Sequence, residues 1–176
     1  ALSASGELNS ALRFPSAFAA HPGMFLVMPV NEGISYPVGD TSLRPMSYHL
    51  YGGHGLCMAW YGMTDGRQGV MALVETPDDA AVDVPRIDGL LTLAPQWQSQ
   101  KGQFGPSRRL RYVFFEQGGY VAMCKRYRQY AQQIGLFKTL DAKRKENPHV
   151  DQLIGAVNVW CWTRDPVAMC REMQSL

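Results

Sequence analysis

From Met24 onward the apolar positions fall in short runs separated by turn residues. Met24–Met28 ends at Pro29, Gly33–Val38 at Gly39-Asp40, and Ser47–Tyr51 at Gly52-Gly53. Leu56–Tyr61 is followed by Thr64-Asp65-Gly66, and Gly69–Glu75 by Pro77-Asp78-Asp79. Runs spaced roughly 10 residues apart with turn chemistry between them predict an antiparallel sandwich or barrel. The clearest hairpin joins Leu56–Tyr61 to Gly69–Glu75 through Asp65-Gly66. Ile87–Leu93 and Leu110–Phe115 extend the sheet. Residues 1–20 read only as a strand remnant or a loosely packed arm.

Near residue 116 the period changes. Tyr120, Met123, Tyr127, Tyr130 and Ile134 recur at three- and four-residue steps, which predicts an amphipathic helix closed by Gly135. That face is expected against the sandwich, with Lys125, Arg128, Gln129 and Gln132 toward solvent. A second capped helix is predicted over Thr139–Asn147, stopped by Pro148. Leu153–Trp160 carries apolar residues on both faces and predicts a parallel strand covered by helices. Asp165 and Pro166 then supply an N-cap and a first helical residue. A single βα unit cannot close a sheet, so its partners are expected in residues outside this sequence, and the chain reads as a piece of a larger protein.

Composition narrows the classes. With 176 residues, 46% hydrophobic and 18% charged, the chain has the stock for a sizeable core, in one domain or a domain with an extension. The net charge of +2 is unevenly placed: residues 1–100 hold four Lys/Arg against nine Asp/Glu, and residues 101–146 hold eleven against three. The stretch Lys101 to Lys145 therefore raises a nucleic-acid-binding module as a possibility. The preferred reading of Lys125, Arg126, Arg128, Lys143, Arg144 and Lys145 is two solvated helix faces, with no nucleic-acid partner. No run approaches the roughly 20 apolar residues of a membrane span, and no signal peptide precedes the first polar segment. The first residue is Ala1, as in a processed or excised chain, which leaves the compartment open. Cys57, Cys124, Cys161 and Cys170 form no C-x-x-C pair and are expected as buried free thiols.

Little in the chain points to catalysis. His49 and His54, with His21, match no strong zinc spacing, and no metal is expected. Gly52-Gly53-His54-Gly55 lacks the Lys-Ser/Thr of a phosphate loop, and no cofactor is expected. No Gly-x-Ser-x-Gly elbow or activated Cys is present. Asp40, Glu75, Asp78, Asp79, Asp83 and Asp88 lie in or near turns, where carboxylates usually cap backbone. Glu32, in Pro29-Val30-Asn31-Glu32-Gly33, is the one placed to project into a cleft. Trp60, Trp97, Trp160 and Trp162, with eight Tyr and seven Phe, suit sugar stacking and a packed core equally. Trp160 and Trp162 share one face of the predicted strand, at the carboxyl end where barrel enzymes build their sites. Trp160, Trp162, Arg164, Asp165 and Glu32 are thus the candidate substrate-binding residues.

The order of these pieces resembles a class of bacterial glycosidases that includes the endo-α-N-acetylgalactosaminidase type. The resemblance is carried by Met28-Pro29-Val30-Asn31-Glu32-Gly33-Ile34, by Gly69 to Thr76 with Asp78-Asp79-Ala80, and by Ala94-Pro95-Gln96-Trp97. It continues through Tyr120-Val121-Ala122, Lys125 to Tyr130, Gly135-Leu136, Thr139 to Lys143, Asn147-Pro148 and Leu153 to Ala156. The resemblance implies a mainly β fold: a galactose-mutarotase-like antiparallel β-sandwich over 1–116, a helical linker over 117–150, and the start of a truncated (β/α)8 barrel over 151–176. Catalytic carboxylates in that class lie on later barrel strands, so no catalytic residue carries over, and the chain alone is expected to be inactive. The expected function is the non-catalytic N-terminal portion of a glycoside hydrolase acting on O-glycosidic bonds, with a carbohydrate substrate and the remainder of the barrel as partners. The alternative is a stand-alone carbohydrate-binding or sugar-epimerase-like sandwich drawing on His49, His54 and Glu75.

Overall fold

The computed structural model describes residues 11–31, 33–50, 55–99, 107–156 and 164–175, and the chain divides into two units, Ala1–Gln133 and Ile134–Leu176. In the first unit the strands are β1 (Ala11–Arg13), β2 (Phe25–Met28), β3 (Ile34–Pro37), β4 (Met46–His49), β5 (Trp60–Thr64) and β6 (Gly69–Val74). They continue with β7 (Ala80–Val84), β8 (Arg86–Ile87), β9 (Leu90–Leu91), β10 (Ala94–Gln98) and β11 (Leu110–Phe115). A four-stranded sheet runs β1-β10-β7-β4, a five-stranded sheet runs β11-β6-β5-β2-β3, and β8 and β9 make a small ribbon. All pairings are antiparallel.

Alternation along the strands builds two cores. Leu26, Met28, Tyr61, Met63, Ala72 and Val74 from the five-stranded sheet meet Ala80, Val82, Val84 and Trp97 from the four-stranded sheet, a sandwich-like arrangement around one interior. The opposite face of the five-stranded sheet presents Val27, Trp60, Met71 and Leu73, and helix α1 (Gly119–Gln133) covers them with Met123, Tyr127 and Ala131. Because the β5–β6 hairpin is covered on both sides, it needs apolar residues at nearly every position. The helix sits close. A Cβ on Gly62 would lie 2.7 Å from the Met123 sulfur, and one on Gly69 would lie 2.6 Å from its methyl carbon. These two glycines on adjacent strands open the space that Met123 fills. At its start α1 is tied to the β5–β6 turn, where Gly119 N–H donates to the Arg67 carbonyl at 2.9 Å.

Several expectations change at this level. The first strand of the clear hairpin runs over Trp60–Thr64 and not Leu56–Tyr61, since Thr64 stays in register with Gly69 and the turn is confined to Asp65–Gln68. β7 and β10 lie in stretches to which the pattern assigned no strand. Ala80-Ala81 follows three turn residues and Pro95 sits inside β10, so neither segment carries a plain strand signal. On α1 the buried line is Gly119, Met123, Tyr127 and Ala131, whereas Tyr120 and Ile134 are 59% and 53% exposed. Cys57, Cys124 and Cys170 are free as expected, but exposed rather than buried. Cys161 lies outside the described residues.

The second unit holds α2 (Leu140–Glu146), a 3₁₀ turn over Pro148–Leu153, and α3 (Pro166–Gln174). Caps account for its local form. Thr139 accepts from Ala142 N–H, Asn147 from His149 N–H, and Asp165 from Ala168 N–H. The strand expected over Leu153–Trp160 does not begin where the pattern placed it. Leu153 closes the 3₁₀ turn, and Gly155, at φ 77°, takes a left-handed conformation foreign to a strand. Residues 157–160 of that stretch lie outside the described residues.

Candidate functional site

Among the described residues a concavity lies on the outer face of the five-stranded sheet, beside α1 and along β2 and β3. Its floor is Val27, Met28 and Pro29 with Gly33, Ile34 and Ser35. Met58, Trp60 and, from α1, Tyr120 and Cys124 complete the lining. The volume is about 430 Å3, within the usual range for a ligand or side-chain pocket.

Its geometry follows from local features already described. Tyr120 and Cys124, four residues apart, form the helical stripe beside the buried Met123–Tyr127 line. Met58 reaches the groove because the chain before β5 is irregular: Trp60 N–H bonds the Met58 carbonyl at 2.8 Å, and Cys57 N–H bonds the Pro29 carbonyl at 2.8 Å. The left-handed Asn31, at φ 51°, turns the chain between β2 and β3.

The chemistry of this lining is recognition by apolar contact. Its side-chain polar groups are the Ser35 and Tyr120 hydroxyls, the Cys124 thiol and the Trp60 indole, with neither a carboxylate nor an imidazole among the lining residues. Burial pushes the Cys124 thiol up, away from the reactive thiolate. The Trp60 N–H is buried and has no acceptor among the described residues. Two carboxyl groups are the ordinary requirement for glycoside hydrolysis, so the groove itself does not supply that chemistry.

Five carboxylates elsewhere in the first unit are committed to structure. Asp79 takes a bidentate ion pair from Arg108, whose guanidinium also lies 5.8 Å from the Trp97 ring centroid. Asp83 pairs with Arg13, and Glu75 with Arg111. Asp65 accepts from the N–H groups of Arg67 and Gln68, and Asp40 from Ser42; these hydrogen bonds hold both carboxyls below their usual range. The two described tryptophans are core residues: Trp60 and Trp97 are 2% and 4% exposed, and Trp97 donates to the Phe14 carbonyl at 2.8 Å.

Of the residues expected to bind substrate, Glu32, Trp160 and Trp162 lie outside the described residues. Arg164 is exposed, and Asp165 is the exposed N-cap of α3, its carboxylate 2.9 Å from Ala168 N. Among the described residues no group of three or more His, Cys, Asp and Glu side chains could hold a metal ion, and no helix is long and apolar enough to cross a membrane. The groove residues Met58, Trp60, Tyr120 and Cys124 were not singled out together. Their only sequence signal is the Tyr120/Cys124 spacing, which is indistinguishable from a solvent-facing stripe until the neighbouring sheet is in place.

With this geometry in view, the fold finds its counterparts among solved structures. The chain has the fold of one part of a glycoside hydrolase. In the ligand-free structure of the α-N-acetylgalactosaminidase NagBb from Bifidobacterium bifidum, the match has a TM-score of 0.71 at 20% identity, covering 89% of this chain and 29% of NagBb. In the GalNAc complex of the same enzyme the TM-score is 0.71 at 19% identity, covering 94% of this chain and 32% of NagBb. The chain thus spans about a third of the solved chains it matches. No protein-family model matches the sequence, and no curated protein matches it.

Proposed function

We propose that this chain is the non-catalytic N-terminal portion of a glycoside hydrolase acting on O-glycosidic bonds, a β-sandwich with a covering helix that supports a (β/α)8 catalytic barrel. The observation that carries the reading is the fold likeness. Nearly all of this chain, but only 29–32% of NagBb, is covered by it. The commitment of Asp79, Asp83, Glu75, Asp65 and Asp40 to ion pairs and turns supports a structural role. In this reading residues 117–150 are the linker, residues 151–176 begin the barrel, and Trp160, Trp162, Arg164, Asp165 and Glu32 line the carbohydrate cleft.

The test is hydrolysis of a panel of aryl glycosides, with the α-N-acetylgalactosaminide first. The 176-residue chain should show no turnover above buffer, and the natural protein recovered from its source should release the aryl group. Turnover by the chain alone would refute the non-catalytic role. A natural protein inert toward the whole panel would refute the glycosidase reading.

A further inference from the structure

The described residues of the second unit enclose no core of their own. In α2, the 3₁₀ turn and α3 no described residue is buried. Its large apolar side chains lie open instead: Leu136 63%, Leu140 51%, Leu153 72%, Ile154 65%, Val167 59% and Met173 44% exposed. Helices of 7 and 9 residues are below the roughly 12–15 residues at which an isolated helix becomes even marginally stable in water. Scattered exposed apolar residues need no explanation, but a whole unit of them without an interior does.

The charges argue against an anionic polymer as the cover. Lys138 pairs with Glu146, and Arg144 with both Asp141 and Asp151, so part of the basic run is neutralised within the unit. The fold likeness supplies the second argument. Coverage of 94% of this chain leaves out fewer residues than lie beyond Gln133, so part of this unit has a counterpart inside a chain of which it and the sandwich make up only 32%.

We propose that residues 134–156 and 164–175 present an interaction surface that folds stably only against an apolar face of the same polypeptide's catalytic domain, with Leu136, Leu140, Leu153, Ile154, Val167 and Met173 as the buried contacts. This rests on the glycosidase reading for the identity of the partner. The exposure of these six side chains does not depend on it.

Hydrogen–deuterium exchange tests it, with light scattering run in parallel to fix the oligomeric state. In the 176-residue chain, amides of α2 and α3 should exchange at close to free-peptide rates while those of β5, β6 and α1 are protected. In the natural protein recovered from its source the same α2 and α3 peptides should exchange at least ~100-fold more slowly. Protection of these peptides in the monomeric 176-residue chain would overturn the proposal. So would protection that appears only in a dimer of the chain, which would name a second copy as the occupant, and so would free exchange in the natural protein. A natural protein that protects these peptides yet cleaves no aryl glycoside would uphold the surface while removing the glycosidase reading.

Discussion

Residues 11–133 and residues 134–175 use the same apolar residue types to opposite effect. In the first unit Leu26, Met63, Met71, Leu73 and Met123 are all 0% exposed, shared between a sandwich interior and a helix-covered outer face. In the second, Leu153 and Ile154 are 72% and 65% exposed, and the elements rest on caps and local ion pairs. Caps and periodicity specify where a helix starts and stops. They contribute only about 1 kcal/mol each, and independent stability comes from burial.

The sharpest way to break this comparison is one large truncation in each unit. Trp60→Ala should destabilise the first unit by about 3–5 kcal/mol, because it empties the space under α1. Leu153→Ala in the same chain should change the urea midpoint by no more than about 0.5 kcal/mol equivalent. A Leu153→Ala cost approaching that of Trp60→Ala would show that the second unit does have an interior.

The same contrast explains what was legible in the sequence. α1, α2 and α3 were placed to within a residue or two because Gly135, Thr139, Pro148 and the Asp165-Pro166 pair act locally. Leu110–Phe115 was placed fully, since its ends are marked by changes in polarity. β7 and β10 were missed because their pairing with each other and with β1 and β4 stabilises Ala-rich and Pro-containing segments that have no local preference for a strand. The stripe on α1 shifted from Tyr120 and Ile134 to Gly119 and Ala131 because the closest approach to Gly62 and Gly69 is set by the sheet, which periodicity does not report. The groove was invisible for a related reason. It is made of residues from three separate parts of the chain that meet only after the sheet and helix have packed.

Ion pairs sharpen the comparison further. Arg108→Met leaves the Asp79 carboxylate partly buried without its bidentate partner and removes the stacking on Trp97; a loss of about 2–3 kcal/mol is expected in chemical denaturation. Arg144→Met, which removes an exposed guanidinium from Asp141 and Asp151, should leave the melting curve of the first unit unmoved. Equal effects from the two variants would erase the distinction between a pair inside a cored unit and a pair on an open one. Gly62→Ala comes next, at about 1–3 kcal/mol, from crowding of Met123 and the Val70 carbonyl. A double variant with Met123→Ala should recover part of the loss due to the sulfur contact, and no recovery would mean that the carbonyl contact dominates.

The smallest effect is the most selective, because all eight tyrosines lie before Ile134 and alkaline titration of phenols therefore reports on the first unit alone. Tyr48 lies on β4, at the edge of the four-stranded sheet, and its hydroxyl donates to the Met46 sulfur at 3.1 Å. Burial first, and the neighbouring Tyr36 phenol second, act on its titration. Together they push the phenol up to about 12. In the unfolded chain the phenol titrates near 10, so above that pH the unfolded state holds fewer protons than the folded one. Stability from this group is complete below pH 10 and is lost as pH rises from about 10 to 12. Tyr48→Phe should accordingly flatten the fall of the urea midpoint across that window. It should not abolish the fall, since burial also raises Tyr61, Tyr112 and Tyr130. Identical slopes for the variant and the parent would mean that the Tyr48 phenol is not held away from solvent in the folded protein.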